Sequence, residues 1–245
     1  MIVQELLDTL YSNISPYTTC EEKYIDNGYP HTNISTDLLQ VLFTNFEPTY
    51  VVECGSMLGG SAIRMAEILK RNNKATEIIC IDPFTGDVNM WDWEKDIAWK
   101  FLRLENGIPT IYKRFLANCK YGGFEDKILP INTTTSVGIK LLQRLFSQNR
   151  ITTLPNCIYL DSAHEKDETF IELSLCWNCL INHGVLFGDD WNWEAVMEDV
   201  LKFSNIIRDQ TDYEYLNKIY VLIPGSEIIN GCVLIVNGQW LLFKK

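Results

Sequence analysis

Short runs that are apolar at nearly every position recur along the chain: "TYVVEC" (49–54), "EIICID" (77–82), "KILPIN" (127–132), "CIYLD" (157–161) and "GVLFGD" (184–189). A strand buried on both faces reads this way, whereas a strand with one wet face alternates. Between the runs the spacing of apolar positions lengthens to that of helices, near 60–72, 93–105, 134–148 and 166–181, with a further helix near 193–208. Two late runs, "KIYVLI" (218–223) and "GCVLIV" (231–236), complete seven predicted strands, and "QWLLF" follows an "NGQ" turn as a hairpin extension. Residues 1–45 carry mainly helical patterns and are expected to cap one domain spanning 1–245. Alternating strands and helices predict an α/β fold, doubly wound, with a mostly parallel seven-stranded sheet and helices on both faces.

Such sheets carry ligands outside the carboxyl ends of their strands, so the residues on which the strands end are the candidates for chemistry. The run 49–54 ends in Glu53 and Cys54, passes through Gly55 and Ser56, and reaches a helix near Ser61 through Gly59 and Gly60. Glycines here let the backbone turn tightly and come close to a ligand. The spacing GSMLGG departs from the GxGxxG of dinucleotide-binding proteins, and Glu53 before the first glycine is foreign to that fingerprint. Glu53 suits a cationic or hydrogen-bond-donating ligand group. The second run ends in Asp82, where an acidic residue holds ribose hydroxyls; the plainer alternative is an Asp-Pro turn.

The run 157–161 ends in Asp161, with His164 three residues on, and the run 184–189 ends in Asp189 and Asp190. Carboxylates on adjacent strand ends repel one another unless a cation lies between them. Their hard oxygens suit Mg²⁺, with Mn²⁺ or Ca²⁺ as substitutes, better than zinc. Consecutive strand residues point to opposite faces, so Asp190 must lie in the turn to share an ion with Asp189. The structural alternative makes Asp190 a cap for the helix beginning near Trp193, and Asp189 a solvated turn residue.

"VVECGSMLGGSA" followed by "IDPFTGD" resembles motifs I and II of class I S-adenosylmethionine-dependent methyltransferases. "YLDSAHEKDETFIELSLCWNCLINHGVLFGDDW" resembles the branch with the sugar O-methyltransferases of macrolide pathways, the rhamnosyl O-methyltransferases and the cephalosporin-hydroxylase-like proteins. That branch reads D-x-x-H, a helix, a glycine turn, a strand and an acidic pair. The likeness covers roughly residues 35–205. It implies the Rossmann-like methyltransferase fold, S-adenosylmethionine as cofactor, a divalent cation, and methyl transfer to a hydroxyl. Carried onto this chain, it places the cofactor on Glu53, Gly55, Ser56, Gly59, Ser61, Asp82, Pro83, Phe84, Thr133, Thr134 and Asp161. The ion falls on Asp161, Asp189 and Asp190, and catalysis on His164 and Asp161. The chain departs from the pattern at His183, where the branch has proline or glycine. It departs again at "PINTTTS", which replaces a glycine-acid-serine, so Thr133 and Thr134 are assigned by position alone.

The ion would bind two neighbouring hydroxyls of the acceptor and lower the pKa of one. His164 is a candidate general base; it could equally orient the acceptor or Asp161, or make a structural hydrogen bond at a helix start. Trp91, Trp93, Trp191 and Trp193 follow two of the strand ends and would roof the site with aromatic faces. The expected function is metal-dependent O-methylation of a sugar or glycan hydroxyl, for example of rhamnose type. The alternatives are a catechol-like small-molecule acceptor, or a non-catalytic cofactor-binding scaffold.

Composition narrows the partners. A net charge of -11 argues against nucleic acid, which leaves a small-molecule or glycan acceptor. No apolar run approaches the ~18 residues of a membrane span, and the first residues lack the basic and apolar regions of a signal peptide. Of the eight cysteines, Cys54, Cys80, Cys157 and Cys232 lie in apolar runs as small hydrophobes. Cys176 and Cys179 form a CxxC with no second pair to complete a zinc site. A reduced, cytoplasmic protein is expected, and a homo-oligomer is compatible with the sequence. His183 is expected at a helix C-terminus, and His31 has no chemical context.

Overall fold

The computed structural model describes residues 1–26, 32–92, 94, 96–162 and 164–245. The expectations for His31 and Trp93 lie outside the described residues. The elements run α1 (Ile2–Leu10), α2 (Thr36–Asn45), β1 (Val51–Cys54), α3 (Gly60–Arg71), β2 (Ile78–Asp82), α4 (Asp96–Leu102), β3 (Leu104–Glu105), β4 (Ile108–Pro109), α5 (Ile111–Tyr121), β5 (Ile128–Asn132), α6 (Thr135–Ser147), β6 (Cys157–Leu160), α7 (Glu168–Cys179), β7 (Val185–Gly188), α8 (Glu194–Ile207), α9 (Tyr213–Leu222), β8 (Glu227–Ile229), β9 (Val233–Val236) and β10 (Gln239–Phe243).

Among the described residues eight strands form one sheet in the order β5-β2-β1-β6-β7-β10-β9-β8, and β3 and β4 make a separate small hairpin. The five strands from β5 to β7 are parallel, while β10, β9 and β8 pair antiparallel at the other end. The expected doubly wound, mostly parallel sheet is therefore present, with one strand more than the seven predicted.

Alternate residues of the parallel strands feed two cores. Val51, Ile78, Cys80 and Tyr159 face α2, α3, α5 and α9, whereas Val52, Ile79, Ile158 and Leu186 face α1, α6, α7 and α8. Burial on both sides is what the unbroken apolar runs encode. Among the described residues no helix is long and apolar enough to cross a membrane, and all eight cysteines are free, Cys20 alone not fully buried.

Two expectations are corrected. The run 218–223 is not a strand; it lies in α9, whose N-terminus Asp212 caps by accepting the Tyr215 amide. Its β-branched and aromatic content suggests a strand, but Leu216, Ile219 and Ile223 are buried at helical spacing while Val221 is 79% exposed. "QWLLF" is not an appendage: β10 lies inside the sheet between β7 and β9, buried at every position. Helix α5 and the short strand β8 are absent from the sequence expectation. His183 sits in a turn beyond α7, in the left-handed region at φ 58°, with its ring 3.6 Å from Asp212.

Candidate active site

The strand order places the functional site. From β1 the chain winds outward to β2 and β5, then returns to β6 on the other side of β1. The loops leaving β1 and β6 diverge, and a cleft opens between them. Gly55 stands at this point. Its φ is +82°, and a Cβ there would lie 2.0 Å from the Asp161 carbonyl oxygen. Glycine is therefore dictated both by backbone conformation and by the close passage of β6.

Beyond Gly55 the loop is organised by Asp82. One carboxylate oxygen accepts the amides of Ser56 and Met57 at 2.8 and 2.7 Å, and the other accepts the amide of Phe84. Burial raises the Asp82 pKa above the usual carboxylate value against the pull of these three amides. Gly59, in the left-handed region at φ +85°, starts α3 and packs on Phe115 and Cys119 of α5.

Glu53 points to the α3 face beneath the loop. It is fully buried, accepts the Ser61 hydroxyl, and takes the Cys80 thiol at 3.3 Å. Burial pushes its pKa up to about 7. The structure thus brings Gly55, Asp82, Pro83, Asp161 and His164 to the lining of a cleft of about 320 Å³. It does not bring Glu53 or Ser61 there, because the alternation of β1 sends Glu53 under α3 and Ser61 follows it.

Three other sequence-derived cofactor positions, Phe84, Thr133 and Thr134, are outside the cleft lining. Phe84 is buried among Tyr112 and Phe115, with ring centroids 5.0 Å from each. Thr134 caps α6 by accepting the Val137 amide. Thr133 gives its amide to the Asp82 carbonyl at 3.1 Å.

The acidic strand ends converge in part. Asp161, His164 and Asp190 offer ligand atoms that all lie within 4.8 Å of one another. Asp190 reaches this group because it has left the strand, as its position predicts: β7 ends at Gly188 and Asp190 adopts φ 60°. Asp189, which the sequence groups with them, is not in this set, and one of its carboxylate oxygens is taken by other donors. Its carboxylate accepts Gln239 Nε2 at 2.8 Å and the Asp190 amide at 2.9 Å, and its carbonyl accepts Trp240 Nε1 at 2.9 Å. The cause is β10, which runs beside β7 and delivers Gln239 and Trp240 to the turn.

His164 is clamped. Its Nε2 lies 2.7 Å from Asp190, its Nδ1 lies 3.4 Å from Asp87, and its ring packs on Trp193 with centroids 5.2 Å apart. Burial opposes its charge, but Asp190, Asp161 and Asp87 outweigh burial and hold its pKa up at about 9. In this arrangement the imidazolium is the counter-charge of the acidic cluster. Asp161 stays well above the ordinary carboxylate range through burial and its neighbours Asp190 and Asp189.

Asp87, Met57 and Met90 also line the cleft and escape sequence reasoning. "GDVNMW" carries one signal, an aspartate placed to cap the following turn, which Asp87 does by accepting the Asn89 amide. Trp91 is 39% exposed and packs on Trp99, and Trp193 is 45% exposed; Trp191 packs against the core instead.

Comparison with known proteins follows the same lines. The sequence model of the family described as "Methyltransferase domain" matches residues 52–191. Comparison with curated proteins gave no match. Among solved structures, the O-methyltransferase from Bacillus cereus in complex with SAH is 13% identical, with 100% of this chain and 97% of that chain covered at a TM-score of 0.50. The O-methyltransferase TomG from Streptomyces achromogenes, involved in tomaymycin synthesis and bound to SAM, is 10% identical, with 100% and 89% covered at 0.52. The SAH-bound methyltransferase PaMTH1 from Podospora anserina is 12% identical, with 87% and 80% covered at 0.53. At these identities the likeness is one of fold. The family match covers more than half of the chain and includes the β1 loop, Asp82, Asp161 and the Asp189–Asp190 turn, and the chain belongs to this methyltransferase family.

Proposed function

We propose that the protein transfers the methyl group of S-adenosylmethionine to a hydroxyl of a sugar or glycan, with the help of a divalent cation. The observation that carries this reading is the meeting, in one cleft at the switch point, of the Asp82-organised glycine loop with Asp161 and His164, which Asp190 joins from behind the lining.

The residues fit the cofactor. Gly55 and Met57 present a close backbone approach at the cleft. A carboxylate has about four acceptor sites, and Asp82 uses three on backbone amides, which leaves room for one ribose hydroxyl. Glu53 and Ser61 support the loop from below rather than touching the ligand. When bound, S-adenosylmethionine supplies an electrophilic methyl on its sulfonium.

The residues also fit a divalent cation, which when bound supplies Lewis acidity toward a hydroxyl. Asp161, Asp190 and His164 are the donors within reach of one ion, and Asp189 stands behind them, steadying the turn through Gln239. Two oxygens and one nitrogen suit Mn²⁺ at least as well as Mg²⁺. Without an ion His164 donates to Asp190 and Asp87; as a ligand it would be neutral and hold the ion through the ring nitrogen that gives up its proton to solvent. A neutral His164 that does not hold the ion would accept the hydroxyl proton at its free ring nitrogen. Trp193 keeps the ring in place, and its exposed face, with that of Trp91, suits the C–H face of a sugar. The same rim suits a catechol-type ring.

The experiment is methyl transfer from labelled S-adenosylmethionine to matched sugar diols and catechols. It is run metal-free with EDTA and again with Mg²⁺ or Mn²⁺ restored, after calorimetry with S-adenosylhomocysteine. Expected are cofactor binding, transfer to a sugar diol, and loss of transfer in EDTA. Preference for catechols moves the acceptor class. Full activity when verified metal-free removes the ion, and binding of NAD but not of S-adenosylhomocysteine sinks the reading.

A further inference from the structure

The glycine loop is held from two sides. Inside the cleft Asp82 takes the Ser56 and Met57 amides. On the far side Asn118 of α5 donates its side-chain amide to the Leu58 carbonyl at 3.1 Å. Asn118 is 4% exposed, and its other side-chain hydrogen bonds run to one residue. Its oxygen accepts the Asp26 amide at 3.0 Å, and its nitrogen also donates to an Asp26 carboxylate oxygen at 3.1 Å.

Asp26 is a hub. Arg114, one turn before Asn118 on α5 and 2% exposed, meets its carboxylate through Nη2 at 2.8 Å and Nε at 3.1 Å. Arg103 adds a second cation at 3.2 Å. Arg114 donates its Nη1 to the Phe101 carbonyl at 2.6 Å, at the end of α4. A buried guanidinium that loses its carboxylate is strongly unfavourable, so this arrangement has little freedom. Three segments therefore meet at one carboxylate, the chain after the turn Glu22–Tyr24, the end of α4, and α5, and Asn118 joins the glycine loop to them. The end of α4 in turn backs the cleft wall, because a Cβ on Gly86 would lie 2.6 Å from Leu102.

We propose that Asp26, acting through Asn118 and Arg114, is a positioning residue that sets the cofactor loop against the cleft wall. This rests on the reading of the cleft as an S-adenosylmethionine site. Asp26, Asn118 and Arg114 are outside the cleft lining, so their effect passes through the Leu58 carbonyl and the end of α4. With Asn118 released, the loop amides that Asp82 holds lose their fixed places. Cofactor binding weakens, while Asp161, His164 and Asp190 keep theirs.

The test uses the full chain with Asp26→Asn, which keeps shape and removes charge, and Asn118→Ala, which frees the loop and leaves the Asp26–Arg114 pair intact. Glu105→Gln is the control, because Glu105 ties the same N-terminal segment through Tyr24 at 2.8 Å and Lys113 at 2.6 Å without touching the loop. Calorimetry with S-adenosylhomocysteine is expected to show affinity about tenfold weaker in both variants, the scale of one lost buried hydrogen bond. Amides of residues 57–60 are expected to exchange faster in the free protein. KM for S-adenosylmethionine should rise while kcat stays within about twofold, and Glu105→Gln should change none of these. Should Asp26→Asn fail to fold, Asn118→Ala carries the test alone. Variants that melt earlier yet bind S-adenosylhomocysteine and protect the loop as wild type does overturn the inference and leave a purely structural network. A wild type that binds no S-adenosylhomocysteine overturns the cofactor reading, and this inference with it.

Discussion

Glu53 is a carboxyl group sealed under the glycine loop, with the Ser61 hydroxyl and the Cys80 thiol as its donors. Its pKa rises from 4.5 to about 7 on burial. For a raised carboxyl the folded state favours the protonated form. Its contribution is therefore complete below the unfolded value and is lost as pH rises through about 7. The span corresponds to about 3 kcal/mol at most. Thermal melts of Glu53→Gln against pH should show a flatter profile than wild type, with the variant gaining relative stability from pH 5 to pH 8. Parallel profiles would mean that Glu53 is ionised in the fold. At Gly55 the limit is steric. Gly55→Ala combines φ +82° with an approach of 2.0 Å to the Asp161 carbonyl, so urea unfolding should show a loss of at least about 3 kcal/mol. A loss below about 1 kcal/mol would show that β6 can move aside.

At the scale of elements, the turn after β7 depends on β10. Gln239 is buried and donates to Asp189, while Trp240 donates to the carbonyl of the same residue. Gly188 permits this, because a Cβ there would strike Trp240 at 2.3 Å. Gln239→Leu leaves the Asp189 carboxylate with the Asp190 amide and no side-chain donor, an expected cost of about 1–3 kcal/mol. It should also reduce divalent-cation affinity, because Asp190 is carried on that turn. Denaturant titration and Mn²⁺ titration of the same variant check both, and unchanged Mn²⁺ affinity would separate the turn from the cation site. The sequence spoke unevenly about elements. β1, β2, β5, β6 and β7 were legible because burial on both faces leaves an apolar run with no other explanation. β10 was legible as a strand but not in its place, because pairing with β7 rather than at the edge is settled by contacts 50 residues apart. α9 was misread because "KIYVLI" has the composition of a strand, and its helical face shows only once Val221 is seen in water.

For the whole molecule, the chain carries a net charge of -11 and concentrates Asp161, Asp190 and Asp87 around one imidazolium. Asp161 is held neutral-prone by burial first, then by Asp190 and Asp189. Asparagine removes an ionisable group whose charged form burial and Asp190 disfavour. Asp161→Asn is expected to melt a few degrees above wild type in EDTA, about the shift of 1 kcal/mol for a chain of this size. The order should reverse with Mn²⁺ present, because a cation that binds only the folded wild type stabilises it by mass action. If Mn²⁺ leaves the wild-type melting temperature unchanged, the cluster is balanced by His164 alone and the proposed ion has no place.

The chain by itself determined which segments become buried strands, that a glycine turn follows the first of them, and that acidic residues end four of them, because periodicity and strand termini are local properties. It also marked His164 and the need for Asp190 to leave the strand. Only the tertiary structure decided which of these groups meet. Glu53 fell beneath the loop through the alternation of one strand. Phe84 was drawn into the core, and Thr134 was taken by a helix N-terminus. Asp189 was claimed by a glutamine from the far end of the chain, while Asp87 arrived opposite His164. Asn118 reached the glycine loop from α5, and Asp26 reached Asn118 from 92 residues away. A side chain's partners across the fold depend on strand order and on competition for donors, and neither is written at any single stretch of sequence.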